Sequence, residues 1–406
     1  MAKLEEQTRA LTEYFRRGCK NKAPLTLGVE VEHFITHQDG APAEFAEVQA
    51  VMQAMQKADD ETITIDGLYM GYQTPLYVIS LEPACQMEIS IMPRTTVGEI
   101  MSIYEMYFTR LCAALAEADL RAYAIGFHPT RRAETLPLIP KERYRVMDRY
   151  FQKSGGHGIY MMRATASTQV SIDYFSEADF VQKYRVASLI APLLALLTDN
   201  APVYQAQPNH AYSVRTHIWN DVDPERCGVI PCLMDEDFGF ASYARYLLQK
   251  PQIVVRHGQQ TKGVGRRTAV ETYGNRLSKN EIEQILSMFF FDVRLKSYIE
   301  IRVADSLAPR YIAAYVLLIK TIFSSQAAQE GILRHYADAD VKAIEAAKLG
   351  VCSNGYKARV YGHPVAEELV WLLAQAKSRI PTLEERLILE PFVHLVDDKK
   401  TIWEEK

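Results

Sequence analysis

The feature that most constrains this chain is a set of short segments in which polar and apolar residues alternate. Along a strand, side chains point to opposite faces with period two, so Glu30 and Glu32 share one face while Val29 and Val31 share the other. Segments of this kind predict an α+β protein with a mainly antiparallel sheet. The five segments are LTLGVEVEHF (25–34), QMEISIMP (86–93), ATASTQVSID (164–173), SVRTHIW (213–219) and VRLKSYIEIR (293–302).

The polar face of these predicted strands is unusually acidic. A solvated outer face would explain any one strand, but Glu30 and Glu32 stand at positions i and i+2 with no basic residue between them on that face. Glu82 and Glu88 add carboxylates from a second segment. Because like charges on neighbouring positions repel, we expect a cation among these acids, with Glu82 and Glu88 beside Glu30 and Glu32.

The residue types on this face are those of a metal-nucleotide cleft. Magnesium in phosphate-transfer sites is held by a few carboxylates together with the substrate phosphates. Guanidinium groups bind phosphate or carboxylate in a bidentate manner, which makes Arg215 and Arg302 candidate substrate contacts. A glycosidase also uses two carboxylates but would not need these arginines. The candidate metal ligands are Glu30, Glu32, Glu88 and Glu300.

Composition and charge limit the partners. The chain has 406 residues, 48% of them hydrophobic, and a net charge of -4, which gives no electrostatic reason to expect nucleic acid or a membrane surface. Its six cysteines form no CxxC pair and its first residues lack an apolar signal region, so we expect reduced thiols in the cytoplasm. We expect one domain over residues 1–406 with a helical part from about 330, as a monomer or homodimer.

Helical periodicity appears in six further segments. The apolar run at 186–198 is too short to cross a bilayer and is predicted to be a buried helix. Ser176 followed by Asp179 predicts the start of that helix. The predicted helices cover about 42–57, 96–118, 177–199, 307–329, 335–348 and 364–378.

Several long motifs, in a fixed order from about residue 25 to 320, resemble one known family. The chain is similar to the plant and alphaproteobacterial type of glutamate-cysteine ligase, a family that also includes the actinobacterial ergothioneine-pathway ligase. The motifs are GVEVEHF, SLEPACQMEISIMP, GFHP, IPKERYRVMDRYF, MMRATASTQVSIDYFSEADFVQKYRV, RTHIWNDVDPERCG and RLKSYIEIRVAD.

The resemblance implies both a fold and a reaction. The fold would be a glutamine-synthetase-like catalytic domain, with the sheet forming an open cleft and helices packed on its other face. The reaction would use ATP and Mg²⁺ to phosphorylate the side-chain carboxylate of glutamate, after which the amine of cysteine displaces phosphate. Such a reaction requires metal and arginine for charge neutralisation more than it requires a protein nucleophile.

The resemblance also assigns roles to individual residues. Glu88 and Arg302 would be catalytic, and Gln169 would join the four acids at the metal. The implied substrate-binding residues are Arg163, Thr165, Arg215, Trp219 and Arg226, and the implied ATP-binding residues are Lys153, Lys296 and Arg302. A core aromatic is the alternative for Trp219, and a structural ion pair is the alternative for Arg163.

Two departures from the family pattern lie beside the predicted cleft. Ala84 and Cys85 replace a glycine pair, and RVADSLAP (302–309) replaces a glycine-rich segment. These changes leave open whether the acceptor is cysteine or another amine, and a non-catalytic nucleotide-binding homologue is a third alternative. The glycine-rich basic loops at 151–158 and 256–276 are predicted as mobile covers near phosphate or as ordinary exposed loops.

Overall fold

The computed structural model describes residues 2–21, 24–257 and 260–405, and its centre is an open antiparallel sheet of nine strands. The strand order is β14-β15-β7-β1-β5-β4-β3-β2, and β6 pairs with the second half of β1. The main-sheet strands are β1 (Leu27–His37), β2 (Glu61–Ile65), β3 (Leu68–Gln73), β4 (Tyr77–Leu81), β5 (Met87–Arg94), β6 (Leu120–Tyr123), β7 (Ser167–Ile172), β14 (Val293–Leu295) and β15 (Ile299–Asp305).

Four two-stranded sheets, sixteen α-helices and three short 3₁₀ helices complete the described fold. The short strands are β8 (Val203–Tyr204), β9 (Gln207–Pro208), β10 (Cys227–Gly228), β11 (Val254–His257), β12 (Gln260–Gly263), β13 (Phe290–Phe291), β16 (Arg359–Val360) and β17 (His363–Pro364). The helices are α1 (Ala2–Gly18), α2 (Phe45–Met55), α3 (Val97–Glu117), α4 (Glu142–Phe151), α5 (Gly158–Ala164), α6 (Glu177–Leu197), α7 (Val214–Trp219), α8 (Phe240–Leu248), α9 (Ala269–Thr272), α10 (Lys279–Leu286), α11 (Pro309–Phe323), α12 (Gln326–His335), α13 (Val341–Asn354), α14 (Val365–Lys377), α15 (Leu383–Leu387) and α16 (Glu390–Asp398).

The two faces of the sheet divide the molecule into a core side and a polar side. Val29 and Val31 on β1 are fully buried together with Met87 and Ile89 of β5, and α3, α6 and α11 contact this sheet. Burial of these apolar side chains supplies the main stabilisation of the sheet. The predicted fold class, a mainly antiparallel sheet with helices behind it, is confirmed.

The helix α6 occupies the middle of the core. It is long and apolar enough to cross a membrane, but 83% of its most apolar window is buried inside the protein. Its first turn is capped by the Ser176 side chain, which accepts a hydrogen bond from the backbone N–H of Asp179 at 3.1 Å. Both the buried helix and its capping residue are as the sequence predicts.

Three element predictions are wrong in their details. The segment 293–302 is a hairpin and not one strand: it turns at Lys296, although Arg294 still stands opposite Glu300 on one face. The segment 307–329 is two helices at 89°, because Ser325 caps the start of α12. The predicted helix at 335–348 begins only at Val341, where the Asp340 side chain caps α13.

The fourth predicted strand, at 213–219, is the short helix α7. Ser213 adopts a left-handed conformation with φ 47°, which turns the chain sharply before the helix begins. In a helix, positions i and i+4 share a face, so Arg215 and Trp219 remain together while His217 points to solvent. The predicted grouping of all three side chains is therefore wrong for His217.

Candidate active site

The polar face of the sheet is the floor of a cavity of about 300 Å³. Glu30 and Glu32 on β1, Glu88 on β5 and Gln169 on β7 project into it from three adjacent strands. Glu82, in the turn between β4 and β5, lines the same cavity. The structure therefore brings together the four acids for which the sequence predicts this arrangement.

Glu32 and Glu88 stand directly opposite each other across the β1-β5 pair. Glu32 accepts a hydrogen bond from the backbone N–H of Ser167 at 2.7 Å. Glu88 accepts hydrogen bonds from the hydroxyls of Ser90 and Ser80 at 3.0 and 3.3 Å. Two ionised carboxylates at such a position destabilise a sheet, so this pair requires a proton or a cation.

Burial and mutual repulsion raise the pKa values of the floor acids. Burial, followed by the charge of Glu82, raises the pKa of Glu32 to about 7. Burial, followed by the charges of Glu30, Glu82 and Glu32, raises the pKa of Glu88 well above its ordinary value. Burial and the charge of Glu300 raise the pKa of Glu30. The floor thus binds positive charge, whether as protons or as a metal ion.

Glu300 differs from the other acids because three cations surround it. It is fully buried beneath the cavity lining, and its carboxylate lies 2.5 Å from Arg294 Nε, 2.6 Å from Lys296 Nζ and 3.5 Å from an Arg302 nitrogen. Burial opposes its ionisation, but the three cations outweigh burial and hold the pKa of Glu300 below its usual range. Its charge is already compensated, unlike that of the other acids predicted as metal ligands.

Two arginines from different elements meet at the edge of the acidic floor. Arg302 of β15 donates a hydrogen bond to the side-chain oxygen of Gln169. Arg215 of α7 donates from Nε to the carbonyl oxygen of Arg302 at 3.1 Å. Both guanidinium groups lie near the ring of Trp219, at 5.4 Å for Arg215 and 5.9 Å for Arg302. Trp219 therefore lines the site beside two cations, which is more than a core packing role.

The helices α4 and α5 form the cover of the cavity, and α5 contacts α7, which carries Arg215. Arg143 of α4 donates from Nη2 to the carbonyl and hydroxyl oxygens of Ser287, at 3.0 and 3.1 Å. Thr165 follows α5 and lines the cavity, and its hydroxyl donates to the Met161 carbonyl at 2.8 Å. The cover combines one cation with apolar groups, among them Tyr144, Met147, Met161 and Met162.

Three residues that the resemblance placed at substrate lie outside the lining of this cavity. Arg163 is bound to Asp148 through two nitrogens, with contacts of 2.8 and 3.1 Å, which is the structural ion pair considered as its alternative. Arg226 is fully buried, and its Nε lies 2.9 Å from the carboxylate of Asp223. Lys153 is exposed in the turn after α4. Arg163 and Arg226 hold the cover together, because each pairs with an acid inside the fold.

The two glycine-rich loops do not line the cavity in the described part of the chain. Residues 151–158 connect α4 to α5, where His157 Nδ1 lies 2.7 Å from Asp221. The second loop, 256–276, begins in the hairpin β11-β12, which packs on α4, and its residues 258–259 lie outside the described residues. The prediction that these loops cover phosphate remains a prediction.

The turn that carries Glu82 contains one of the departures from the family pattern. Cys85 has a φ of 65°, in the left-handed region that favours glycine, and its N–H donates to the Glu82 carbonyl at 3.2 Å. Gln86 accepts from the Ala84 N–H at 2.8 Å and donates to the Thr165 carbonyl at 3.0 Å. The turn thus retains a conformation suited to glycine, although its sequence has changed.

A second, more apolar cavity of about 530 Å³ adjoins the first at Glu30. It continues along the polar face over Gly28 of β1, Ser90 of β5 and Ser171 of β7, where the side chains are absent or small. Met92, Pro93 and Tyr298 supply apolar walls, and Lys20 lies at the rim. An acidic chamber beside an apolar one suits a ligand with a flat hydrophobic group and a charged tail.

The donor set in the first cavity is suited to a divalent metal ion. Carboxylate oxygens of Glu30, Glu32, Glu82 and Glu88 are the ligands that Mg²⁺ prefers, and the basic groups near Glu30 and Glu32 do not outweigh the burial that raises the pKa of each. Among residues 2–21, 24–257 and 260–405, no three acidic, histidine or cysteine side chains already converge on one point. Binding a metal would therefore require these glutamates to change rotamer toward each other.

Sequence reasoning missed Arg143 as a functional residue. It belongs to the motif IPKERYRVMDRYF, which carries the family resemblance but does not indicate which of its side chains faces the sheet. Arg294 also lines the cavity, although the alternating pattern of 293–302 does not assign it a role. Only the tertiary structure, in which α4 and the β14-β15 hairpin meet the floor, shows that Arg143 and Arg294 line the cavity.

Comparisons with known proteins agree with this geometry. The family model described as glutamate-cysteine ligase family 2 (GCS2) matches residues 26–399. The chloroplastic glutamate-cysteine ligase of Medicago truncatula is 29% identical over 361 residues, covering 86% of this chain and 70% of that protein. The Brassica juncea enzyme is 32% identical over 310 residues, covering 73% of this chain and 59% of that protein. The chain thus matches about three fifths to seven tenths of these relatives.

A solved structure shares the fold. The glutamate-cysteine ligase of Francisella tularensis in complex with AMP superposes with a TM-score of 0.57 at 12% identity, over 93% of this chain and 83% of that one. At this identity the similarity concerns the fold alone. Together with the family match over nearly the whole chain, it establishes that this protein belongs to glutamate-cysteine ligase family 2.

Proposed function

We propose that this protein is an ATP-dependent ligase that joins the side-chain carboxylate of glutamate to the amine of cysteine. The observation that carries the proposal is the opposed pair Glu32 and Glu88, which lines one cavity together with Arg215 and Arg302. An acidic floor beside guanidinium groups neutralises the charges of a phosphate passing to a carboxylate, and the relatives named above are glutamate-cysteine ligases.

The proposed reaction has two steps. A γ-carboxylate oxygen of glutamate attacks the γ-phosphorus of ATP, the bond to the β-phosphate oxygen breaks, and ADP leaves. The unprotonated amine of cysteine then attacks the acyl carbon of γ-glutamyl phosphate. The carbon-oxygen bond breaks, phosphate leaves with the former carboxylate oxygen, and one proton is released as the amide forms.

The residues of the cavity supply positioning and charge neutralisation for these steps. Arg302 is already oriented by Gln169 and lies beside Arg215, so the two can contact the transferring phosphoryl group. Arg143, on the cover, is suited to the α-carboxylate of an amino acid. The apolar groups of the cover, including Met161 and Met162, limit the access of water, which would hydrolyse an acyl phosphate.

Mg²⁺ is part of the proposal. Glu30, Glu32, Glu82 and Glu88 would hold it, and when bound it supplies neutralisation of the phosphate oxygens. Glu300 remains bound to Arg294, Lys296 and Arg302, and through them it fixes where the cations of the site stand.

We place the nucleoside of ATP in the second cavity. Gly28, Ser90 and Ser171 leave room along its floor, and among the described residues Glu30 alone lines both this cavity and the acidic chamber. This arrangement would direct the phosphates of ATP toward the acids. A cytoplasmic location with reduced thiols, which the sequence predicts, is a further part of the proposal.

The test is ATP-dependent phosphate release with Mg²⁺, glutamate and a panel of amines, with the product identified by mass. Release that requires both glutamate and cysteine, with a γ-glutamylcysteine product, supports the proposal. Release with a different amine keeps the mechanism and changes the acceptor, as the altered turn at Cys85 would allow. No release with any pair, from folded protein that still binds ATP, favours a non-catalytic homologue.

A further inference from the structure

Distant parts of the chain meet at the dipeptide Asp199-Asn200, directly after α6. The Asp199 carboxylate accepts a hydrogen bond from the Ser213 N–H at 2.7 Å, at the start of α7. The Asn200 N–H donates to the Asp305 carboxylate at 2.8 Å, and its side-chain amide donates to the Ser306 carbonyl at 2.8 Å, at the end of β15. The dipeptide thus ties the helix carrying Arg215 to the strand carrying Arg302.

The segment Thr401–Glu405 holds this dipeptide from another side. The Ile402 N–H donates to the Asp199 carbonyl at 3.1 Å. Burial, followed by the charge of Asp305, raises the pKa of the Asp199 carboxyl well above its ordinary value, and the nearby Trp403 indole partly opposes this shift. The segment is itself anchored, because Glu405 binds Arg310 at 2.6 Å and accepts from the Tyr311 hydroxyl. The segment Thr401–Glu405 is therefore attached both to Asp199, about 200 positions earlier in the sequence, and to the start of α11.

The start of α7 depends on this contact. Ser213 has a left-handed conformation, which a residue with a side chain retains only when its surroundings hold it. The helix that follows has six residues, too few to be stable alone. Its orientation is therefore set by its attachments, of which the hydrogen bond from Ser213 to Asp199 is the first.

The electrostatics of the site agree with this coupling. Burial lowers the pKa of Arg215, while the charges of Glu32 and then Asp305 raise it, so the guanidinium interacts with the acidic floor and with the junction. Oδ1 of Asp199 and Oδ1 of Asp305 are buried and have no hydrogen-bond partner among the described residues. Buried carboxyl groups with an unused oxygen are costly, which is typical of functional regions.

We propose that Asp199, held in place by the segment Thr401–Glu405, is a positioning residue that determines where Arg215 and Trp219 enter the cavity. Asp199 does not itself line the cavity and acts through Ser213 and α7. The effect on catalysis rests on the proposed function, whereas the effect on the order of α7 does not.

The test measures amide hydrogen exchange of the peptide covering Ser213–Trp219 together with kcat/KM. Asp199→Ala is expected to speed exchange in this peptide about tenfold, through loss of one hydrogen bond to a carboxyl group. It should lower kcat/KM about 100-fold, since small displacements of positioned groups have effects of this size. Asp199→Asn should restore both to within about threefold, because an amide oxygen still accepts from the Ser213 N–H.

Two further variants separate positioning from general stability. Trp403→Ala acts through the anchoring segment and should change α7 exchange and kcat/KM in the same direction. Val48→Ala, in the buried face of α2, should lower the melting temperature without changing either. The double variant with Asp199→Ala and Arg215→Lys should lower kcat/KM by less than the product of the two single decreases, because both substitutions act through one guanidinium group.

The inference is overturned if Asp199→Ala leaves α7 exchange unchanged, or if exchange rises equally in every helix. If Asp199→Ala does not fold, Trp403→Ala and Asp199→Asn decide the question by the same two readouts. A wild-type protein without ligase activity whose α7 responds as expected would refute the proposed function and keep the positioning role. An active enzyme in which neither Asp199→Ala nor Trp403→Ala alters exchange in α7 would refute the positioning role and keep the proposed function.

Discussion

Replacing Glu32 by glutamine should stabilise the folded protein while abolishing its activity. Glu32 stands opposite Glu88, and its pKa is raised from 4.5 to about 7. A carboxyl group with a raised pKa stabilises the folded state below pH 4.5, and this contribution is lost as pH rises through 7. Glutamine removes the cost of the charge and still offers an oxygen to the Ser167 N–H.

The magnitude follows from the two pKa values. A shift from 4.5 to about 7 costs about 0.8 kcal/mol at pH 5 and about 3.3 kcal/mol at pH 8. Relative to wild type, Glu32→Gln should therefore gain about 2.5 kcal/mol between these pH values. With an unfolding entropy of about 2.1 cal/mol/K per residue, 406 residues give about 0.85 kcal/mol/K, so the gain is about 3 °C in melting temperature.

The assay is thermal unfolding of both proteins at pH 5 and pH 8 in the presence of EDTA. Glu300→Gln is the matched control, because the same chemical change there breaks a buried cluster with three cations and should destabilise at both pH values. The reasoning is refuted if Glu32→Gln shifts the melting temperature equally at pH 5 and pH 8, or if Glu300→Gln raises it.

Three further predictions concern single side chains. Arg302→Lys should lower kcat by at least about 100-fold at unchanged melting temperature, measured by phosphate release, because lysine lacks the planar bidentate group. Arg163→Ala should cost about 3–5 kcal/mol in urea unfolding through loss of a buried ion pair, with KM for each substrate nearly unchanged. Burial and the charge of Arg131 lower the pKa of His128 to about 4. The free energy of unfolding should therefore fall by roughly 2 kcal/mol between pH 7 and pH 5 because of this histidine, and His128→Asn should abolish that part of the pH dependence.

The sheet could be predicted from the sequence because its signal is local. Glu30 and Glu32 alternate with Val29 and Val31 along β1. The same alternation on β5 places Glu88 on the sheet face that carries Glu30 and Glu32. Period-two patterning places side chains on a face without knowledge of the tertiary structure. The acids on the cavity floor can therefore be predicted from the sequence alone.

The cover of the site could not be predicted in the same way. The segment 213–219 alternates like a strand, but the left-handed Ser213 and the contact with Asp199 make it a helix. Arg163 resembles a substrate-binding residue by its motif, yet Asp148, fifteen residues earlier, binds it. In both cases the decision rests on partners distant in sequence, which local patterns do not contain.

The most direct test of the proposed chemistry follows oxygen from glutamate into phosphate. Glutamate labelled with ¹⁸O in its side-chain carboxylate is incubated with ATP, Mg²⁺, cysteine and the wild-type enzyme, and the released phosphate is analysed by mass spectrometry. The account predicts one ¹⁸O atom in each phosphate, because the carboxylate oxygen leaves with the phosphoryl group. Phosphate free of ¹⁸O, released at the same rate as γ-glutamylcysteine forms, would contradict it.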